Sequence, residues 1–133
     1  MLKKIDHIGI VVKDIDGAVK RYERGLGLRC TEREEIPDAG VRVAFFPIGD
    51  TYIELIQFTR VDPGVDERIS MAEPGISHIS FEVEDFDTAL KDCLSKGFKL
   101  LKGFPRMGAH GRVAFLHPED FEGALFEICE HLE

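Results

Sequence analysis

Cysteine is scarce in this chain: the three residues present, Cys30, Cys93 and Cys129, are odd in number and far apart. That pattern excludes a disulfide framework and a thiolate zinc site, and leaves reduced, structural thiols. Basic residues are outnumbered, with 17 Lys and Arg against 25 Asp and Glu and a formal net charge of −8. A general nucleic-acid binder or a binder of anionic membranes needs a dominant positive field, so both classes are disfavoured. Long apolar runs are missing too. The stretch Val43 to Ile48 is among the longest and falls far short of a bilayer span, and the start Met1-Leu-Lys-Lys-Ile-Asp6 enters a strand-like pattern without a signal-peptide core. A cytoplasmic protein is the expectation. What is present, 133 residues with 44% hydrophobic and 32% charged, suits one globular domain spanning residues 1–133.

The chain repeats itself. Asp6-His-Ile-Gly-Ile-Val-Val-Lys-Asp-Ile-Asp-Gly-Ala-Val-Lys20 aligns with Ser77-His-Ile-Ser-Phe-Glu-Val-Glu-Asp-Phe-Asp-Thr-Ala-Leu-Lys91 at an offset of 71. Arg42-Val-Ala-Phe45 returns as Arg112-Val-Ala-Phe115 at an offset of 70, and Tyr52-Ile-Glu-Leu-Ile56 resembles Leu125-Phe-Glu-Ile-Cys129 at 73. Three matches in the same order imply two copies of one module, too few and too long for a solenoid.

Each copy reads as a strand, a helix and three strands. In the first, residues 5 to 12 alternate as a strand, Asp14 is placed to cap a helix whose apolar residues Ile15, Ala18, Val19 and Tyr22 recur at helical spacing, and Gly25 and Gly27 stop it. Strands are expected at about 28–34, 41–48 and 52–58, with Gly49-Asp50 as a hairpin turn. The second copy predicts strands at about 76–83, 98–101, 112–116 and 123–130, and a helix from Asp85 through Lys96. Module 1 (about 3–58) and module 2 (about 76–131) flank a linker at about 59–75 that contains Pro63, Gly64, Pro74 and Gly75. The expected fold class is α+β: two βαβββ modules in tandem, forming a cupped mixed sheet around a metal site.

That metal site follows from the residues the repeat preserves. His7 and His78 occupy equivalent points in the first strand of each module, and Glu54 and Glu127 equivalent points in the last. Alternation places His7 on the face of Ile5 and Gly9, and Glu54 on the face of Tyr52 and Ile56, so each polar group interrupts an apolar strand face. A buried carboxylate demands a cation, a proton or a strong donor. A lone strand histidine is more often a hydrogen-bonded core residue, but four groups placed symmetrically as His₂Glu₂ fit one divalent ion such as Co²⁺, Zn²⁺, Ni²⁺ or Mn²⁺, with positions left for substrate oxygens.

With these residues the chain resembles the vicinal oxygen chelate superfamily (the glyoxalase/bleomycin-resistance-like proteins) and, within it, the methylmalonyl-CoA epimerase family. The resemblance runs through Asp6-His-Ile-Gly-Ile-Val-Val-Lys-Asp14, Gly40-Val-Arg-Val-Ala-Phe45, Ile53-Glu-Leu-Ile56, Ile76-Ser-His-Ile-Ser-Phe-Glu-Val-Glu-Asp85, Pro105-Arg-Met-Gly-Ala-His-Gly111, Phe115-Leu-His-Pro118 and Leu125-Phe-Glu-Ile-Cys-Glu130. It implies His7, Glu54, His78 and Glu127 as metal ligands, a homodimer, an acyl-CoA substrate, and inversion of an α-carbon by 1,1-proton transfer through a metal-stabilised enolate, with Glu127 as ligand and base. Two departures stand out. Val43 occupies a position where some epimerases carry a second proton-transferring glutamate, and His117-Pro-Glu-Asp120 replaces a His-Pro-Lys pattern. Candidates for the missing carrier are His110, one of Glu32, Glu34 and Glu35, or a metal-bound water. A lactoylglutathione lyase of the glyoxalase I type uses the same ligand types and is the alternative activity; a non-catalytic small-molecule binder is the alternative class, disfavoured because all four ligand positions survive.

One further pattern is independent of family. From Lys96 to Arg112 the chain carries Lys96, Lys99, Lys102, Arg106 and Arg112 with no acid between them. Lys102, Arg106, Gly108 and Arg112 are therefore candidates to hold an anionic substrate, with a solvated surface as the plain alternative. The Gly108-Ala-His-Gly111 loop is a candidate cover for the substrate, and His110 within it a candidate contact or loop histidine. His117 is expected to hydrogen-bond in a turn, and His131 to have no catalytic part.

Overall fold

Period-two alternation in the first ten residues of the repeat builds the strand around which the fold is organised. The computed structural model describes residues 1–132; Glu133, the last residue of the expected domain, lies outside the described residues. The elements are β1 (Leu2–Val11), α1 (Ile15–Leu26), β2 (Glu32–Ile36), β3 (Val41–Ile48), β4 (Thr51–Phe58), a short α2 (Glu67–Ser70), β5 (Gly75–Val83), α3 (Phe86–Ser95), β6 (Arg106–Met107), β7 (Arg112–Phe115) and β8 (Phe126–Cys129). Eight strands form one curled mixed sheet in the order β2-β3-β4-β1-β5-β8-β7-β6. Each module contributes four strands, and the modules join where β1 runs antiparallel to β5.

The helices cover the convex side. Ile15 and Val19 of α1 pack on Ala44, Phe46 and Leu55 of β3 and β4, and Phe86 and Ala89 of α3 pack on Val83, Ala114 and Ile128. Burying one such side chain stabilises the fold by about 1.5–3 kcal/mol, so these two clusters hold each helix on its own module. The residues between them in sequence point the other way. Val43, Phe45 and Ile56 form an apolar wall on the concave side, and Val65, Ile69, Leu101 and Phe115 another.

Several local expectations change. Asp14 sits in the N-cap position of α1, but its side chain caps no amide; the first helical N–H, that of Ile15, instead donates to Oε1 of Gln57 at 2.9 Å. Asp85 does cap α3, accepting from the Thr88 N–H at 2.9 Å. The strand expected at 98–101 is reduced to a single bridge between Leu100 and Leu116, and the outer strand of module 2 forms later, at Arg106–Met107. Burial decides this: Leu101 and Phe104 turn inward against Val65, Ile69 and Phe115 instead of extending along the sheet edge. The linker is folded as well. Asp66 accepts from the Arg68 N–H to start α2, which seats Val65 and Ile69 on the second module. His117 Nδ1 accepts from the Glu119 N–H at 3.2 Å at the start of a 3-10 turn, Pro118–Phe121.

Candidate metal centre and its cleft

Four adjacent strands, β4, β1, β5 and β8, each deliver one side chain to the floor of the cup. In the ladder Gly9 of β1 lies opposite Glu54 on one side and His78 on the other, while Ser80 of β5 pairs with His7 and with Glu127. His7 Nε2 is 3.3 Å from Glu54 Oε1, 3.3 Å from Glu127 Oε1 and 3.4 Å from His78 Nε2; His78 Nε2 is 3.9 Å from Glu127 Oε1. Ligands about 2.0–2.2 Å from a common ion in tetrahedral array stand roughly 3.3–3.6 Å apart; the three spacings around His7 Nε2 match a transition-metal ion, and the 3.9 Å between His78 and Glu127 is a few tenths of an ångström longer. Glu127 Oε1 is buried and makes no well-formed hydrogen bond among the described residues, with His7 Nε2 3.3 Å away, so a cation between them would satisfy it. The donor set therefore suits a divalent ion in its chemistry, its separations and its unsatisfied atom.

Electrostatics point the same way. Burial opposes the charge on His7, but the hydrogen bond it donates to Asp6 and the Glu127 and Glu54 carboxylates outweigh it and raise its pKa to about 10. Burial pushes His78 down to about 4 and Glu54 up to about 7, whereas for Glu127 burial is overcome by His7 and His78, which hold it below the usual carboxylate range. Without an ion the cluster keeps a proton on His7 to balance its acids; a doubly charged cation does the same for all four groups.

Asp6 completes the arrangement and was invisible to strict alternation. The β1–β5 register slips between Ile5 and His7, and Asp6 and His7 are both buried, at 1% and 5% exposure. Asp6 Oδ2 receives the His7 Nδ1–H at 2.7 Å and the Tyr52 hydroxyl at 2.8 Å. An ionised carboxylate only accepts, so Nδ1 carries a proton and Nε2 is the nitrogen that would meet an ion once its own proton is displaced. Tyr52 also stacks on the His7 ring with centroids 5.0 Å apart.

Gly9 shows how closely the floor is fitted. A Cβ there would stand 2.2 Å from His78 Cε1 and 2.6 Å from its Nε2. Gly9→Ala should displace the buried His78 ring, weakening divalent-metal affinity about 100-fold and lowering the melting temperature of the metal-free protein. Titration with Zn²⁺ against a chromophoric chelator checks this; unaltered affinity would mean that His78 is not a ligand.

Above the floor opens a cleft walled by Val43, Ile56, Phe58, Phe104, Val113 and Phe115. Arg106 and Gly108 line it, with Arg106 also 3.4 Å from Asp62. His110 lines it too, its Nε2 3.2 Å from Glu32 Oε1 and its ring 4.8 Å from that of Phe45, while Ala109 packs on the Val43 wall. The other two basic candidates are elsewhere. Lys102 is exposed and outside the cleft lining, and Arg112 is bound to Glu130 at 2.6 Å and Asp87 at 2.8 Å with its guanidinium 4.8 Å above Phe86. Lys96 is paired with Asp92 at 2.8 Å. The run from Lys96 to Arg112 is thus not one basic surface, because local acids on α3 and after β8 neutralise its ends. The Gly108 N–H is also spent within its own loop, on the Gly111 carbonyl at 2.8 Å. His131, which the sequence left without a part, lies against Asp6, with Nε2 2.7 Å from Oδ1.

Residues 6–115 match the family model for the glyoxalase/bleomycin resistance protein/dioxygenase superfamily. The chain is 36% identical to the ethylmalonyl-CoA/methylmalonyl-CoA epimerase of Cereibacter sphaeroides over 96% of this chain and 98% of that one. It is 33% identical to the human mitochondrial methylmalonyl-CoA epimerase over 96% of this chain and 73% of that one. Among solved structures, a methylmalonyl-CoA epimerase in complex with methylmalonyl-CoA and NH4+ superposes with a TM-score of 0.86 at 35% identity, covering 98% of this chain and 96% of that one. A variant of the Streptomyces coelicolor methylmalonyl-CoA epimerase in complex with 2-nitronate-propionyl-CoA gives the same TM-score, identity and coverage. The chain belongs to the glyoxalase/bleomycin resistance protein/dioxygenase superfamily and, within it, to the methylmalonyl-CoA epimerase family.

Proposed function

We propose that this protein is a metal-dependent epimerase that inverts the α-carbon of methylmalonyl-CoA, or of a similar 2-substituted malonyl thioester, by 1,1-proton transfer. The observation that carries the reading is the convergence of His7, Glu54, His78 and Glu127 at the floor of an apolar cleft that a second titratable group, His110, also lines. Self-association as a homodimer and a cytoplasmic location, which the resemblance and the sequence imply, belong to the same proposal; among the described residues no helix is long and apolar enough to cross a membrane.

His7, Glu54, His78 and Glu127 would hold the ion. When bound, it supplies Lewis-acid stabilisation of the negative charge that develops on the substrate oxygens. The apolar wall of Val43, Ile56 and Phe115 excludes water and so strengthens every charge interaction within the cleft. Glu127 takes the α-proton through Oε2, the oxygen not facing His7. Inversion needs a carrier on the other face of the carbon, and Val43 cannot serve. The loop before β7 brings His110 to the wall that Val43 and Phe45 form, with Glu32 fixing the proton on Nε2 and leaving Nδ1 to exchange the proton. Arg106 is placed to meet an anionic part of the substrate at the cleft wall.

The test is incubation of the metal-loaded protein with (2S)- or (2R)-methylmalonyl-CoA in deuterated water. Epimerisation accompanied by incorporation of one deuterium at C2, and abolished by a chelator, is the expected result. No exchange on any malonyl thioester, together with turnover of the glutathione–methylglyoxal hemithioacetal, would assign the chain to the lyase activity instead.

A further inference from the structure

We propose that His131 is a positioning residue of the metal centre: its Nε2–H anchors Oδ1 of Asp6, so that Oδ2 stays free to hold His7 with Nε2 turned toward the ion. This rests on the metal reading above and extends it to a residue 124 positions from the ligand it governs.

The Asp6 carboxylate is 1% exposed and, among the described residues, receives three donors. Oδ2 takes two of them, His7 Nδ1 at 2.7 Å and the Tyr52 hydroxyl at 2.8 Å; the donor on Oδ1 is His131 Nε2 at 2.7 Å. A carboxylate oxygen stripped of its donor in the interior is costly, and the group relieves that cost by turning about its own Cβ–Cγ bond to seek water. Such a turn moves Oδ2 away from His7 and loosens the imidazole. The orientation of His7 therefore depends on a donor at the far oxygen.

His131 is itself held for this task. Its ring stacks on that of His110 with centroids 5.3 Å apart and planes 24° from parallel. The backbone on either side is tied down, Glu130 N–H to the Arg112 carbonyl at 3.1 Å and Leu132 N–H to the His110 carbonyl at 2.7 Å. The segment after β8 thus runs along the loop that carries His110 and presents one ring nitrogen to Asp6. The His131 side chain is about one-third exposed, whereas the Asp6 side chain it holds is buried.

The experiment compares wild type, His131→Ala and His131→Gln, the glutamine amide supplying an N–H near the position of Nε2. Co²⁺ affinity is measured by competition with a chromophoric chelator, the d–d absorption of the Co²⁺ protein is recorded, and melting of the metal-free form is followed in parallel. His131→Ala should weaken Co²⁺ affinity about tenfold and alter the d–d bands, and His131→Gln should recover affinity to within about threefold of wild type. Unchanged affinity and spectrum in His131→Ala would overturn the proposal, as would equal losses in both variants, which would signal only a packing role. Failure of wild type to bind Co²⁺ would count against the metal centre itself, a separate outcome.

Discussion

Glu127→Gln, loaded to full metal occupancy, should lose α-proton exchange by a factor of about 10³ to 10⁴ while keeping its fold. The substitution preserves the shape of a side chain that is 5% exposed and enclosed by β5, β8 and the two histidines, so packing changes little. What it removes is the lone pair that accepts the proton, and general acid–base participation typically contributes about 10²–10⁴ in rate. The loss of one negative ligand also lowers affinity for the ion, which is why the comparison is made at full occupancy. His110→Ala should behave differently: if Glu127 and His110 serve opposite faces of the carbon, one enantiomer of the substrate should still exchange its proton with deuterated water while epimerisation stops. Measured side by side, exchange and inversion separate the two carriers. Full exchange in Glu127→Gln would remove Glu127 from the chemistry.

Metal affinity should climb steeply with pH. In the metal-free protein His7 titrates at about 10 and Glu54 at about 7, each raised above its ordinary value. The ion must displace those protons, so apparent affinity rises about tenfold per pH unit between roughly pH 7 and pH 9, equal to about 1.4 kcal/mol per unit, and more steeply below pH 7 where Glu54 releases a second proton. The metal-free fold has the opposite dependence. A group whose pKa is raised on folding binds more protons in the native state, and its contribution is complete below the unfolded value and lost as the pH passes the folded one. For Glu54 that window is 4.5 to about 7, and for His7 it is 6.5 to about 10. The gap in melting temperature between metal-loaded and metal-free protein should therefore widen from pH 6 to pH 9. A gap independent of pH would show that these groups do not meet the ion.

How much of this was legible in the sequence differs between the sheet floor and everything around it. Two-residue alternation and a repeat offset near 71 were enough to predict paired βαβββ modules and to single out His7, Glu54, His78 and Glu127, because strand periodicity ties a residue's position directly to the face it occupies. The second module's outer strand was misplaced for the converse reason: nothing local distinguishes Leu101 and Phe104 as inward-turning until Val65 and Ile69 are there to receive them.

Charge was the least local property of all. A run of basic residues reads as one patch along the chain, yet Arg112 is claimed by Glu130 and Asp87, and Arg106 alone of the run's five basic residues lines the cleft. By itself, then, the sequence determined the fold class and singled out the His and Glu side chains that gather on the floor of the cup, since both follow from strand periodicity and the internal repeat. Only the tertiary structure decided that a register slip turns Asp6 inward beside His7, that the loop before β7 sets His110 on the Val43 wall, and that His131 returns to Asp6. Those three depend on contacts between segments distant along the chain or on a break in alternation, and a pattern read along one strand carries no information about either.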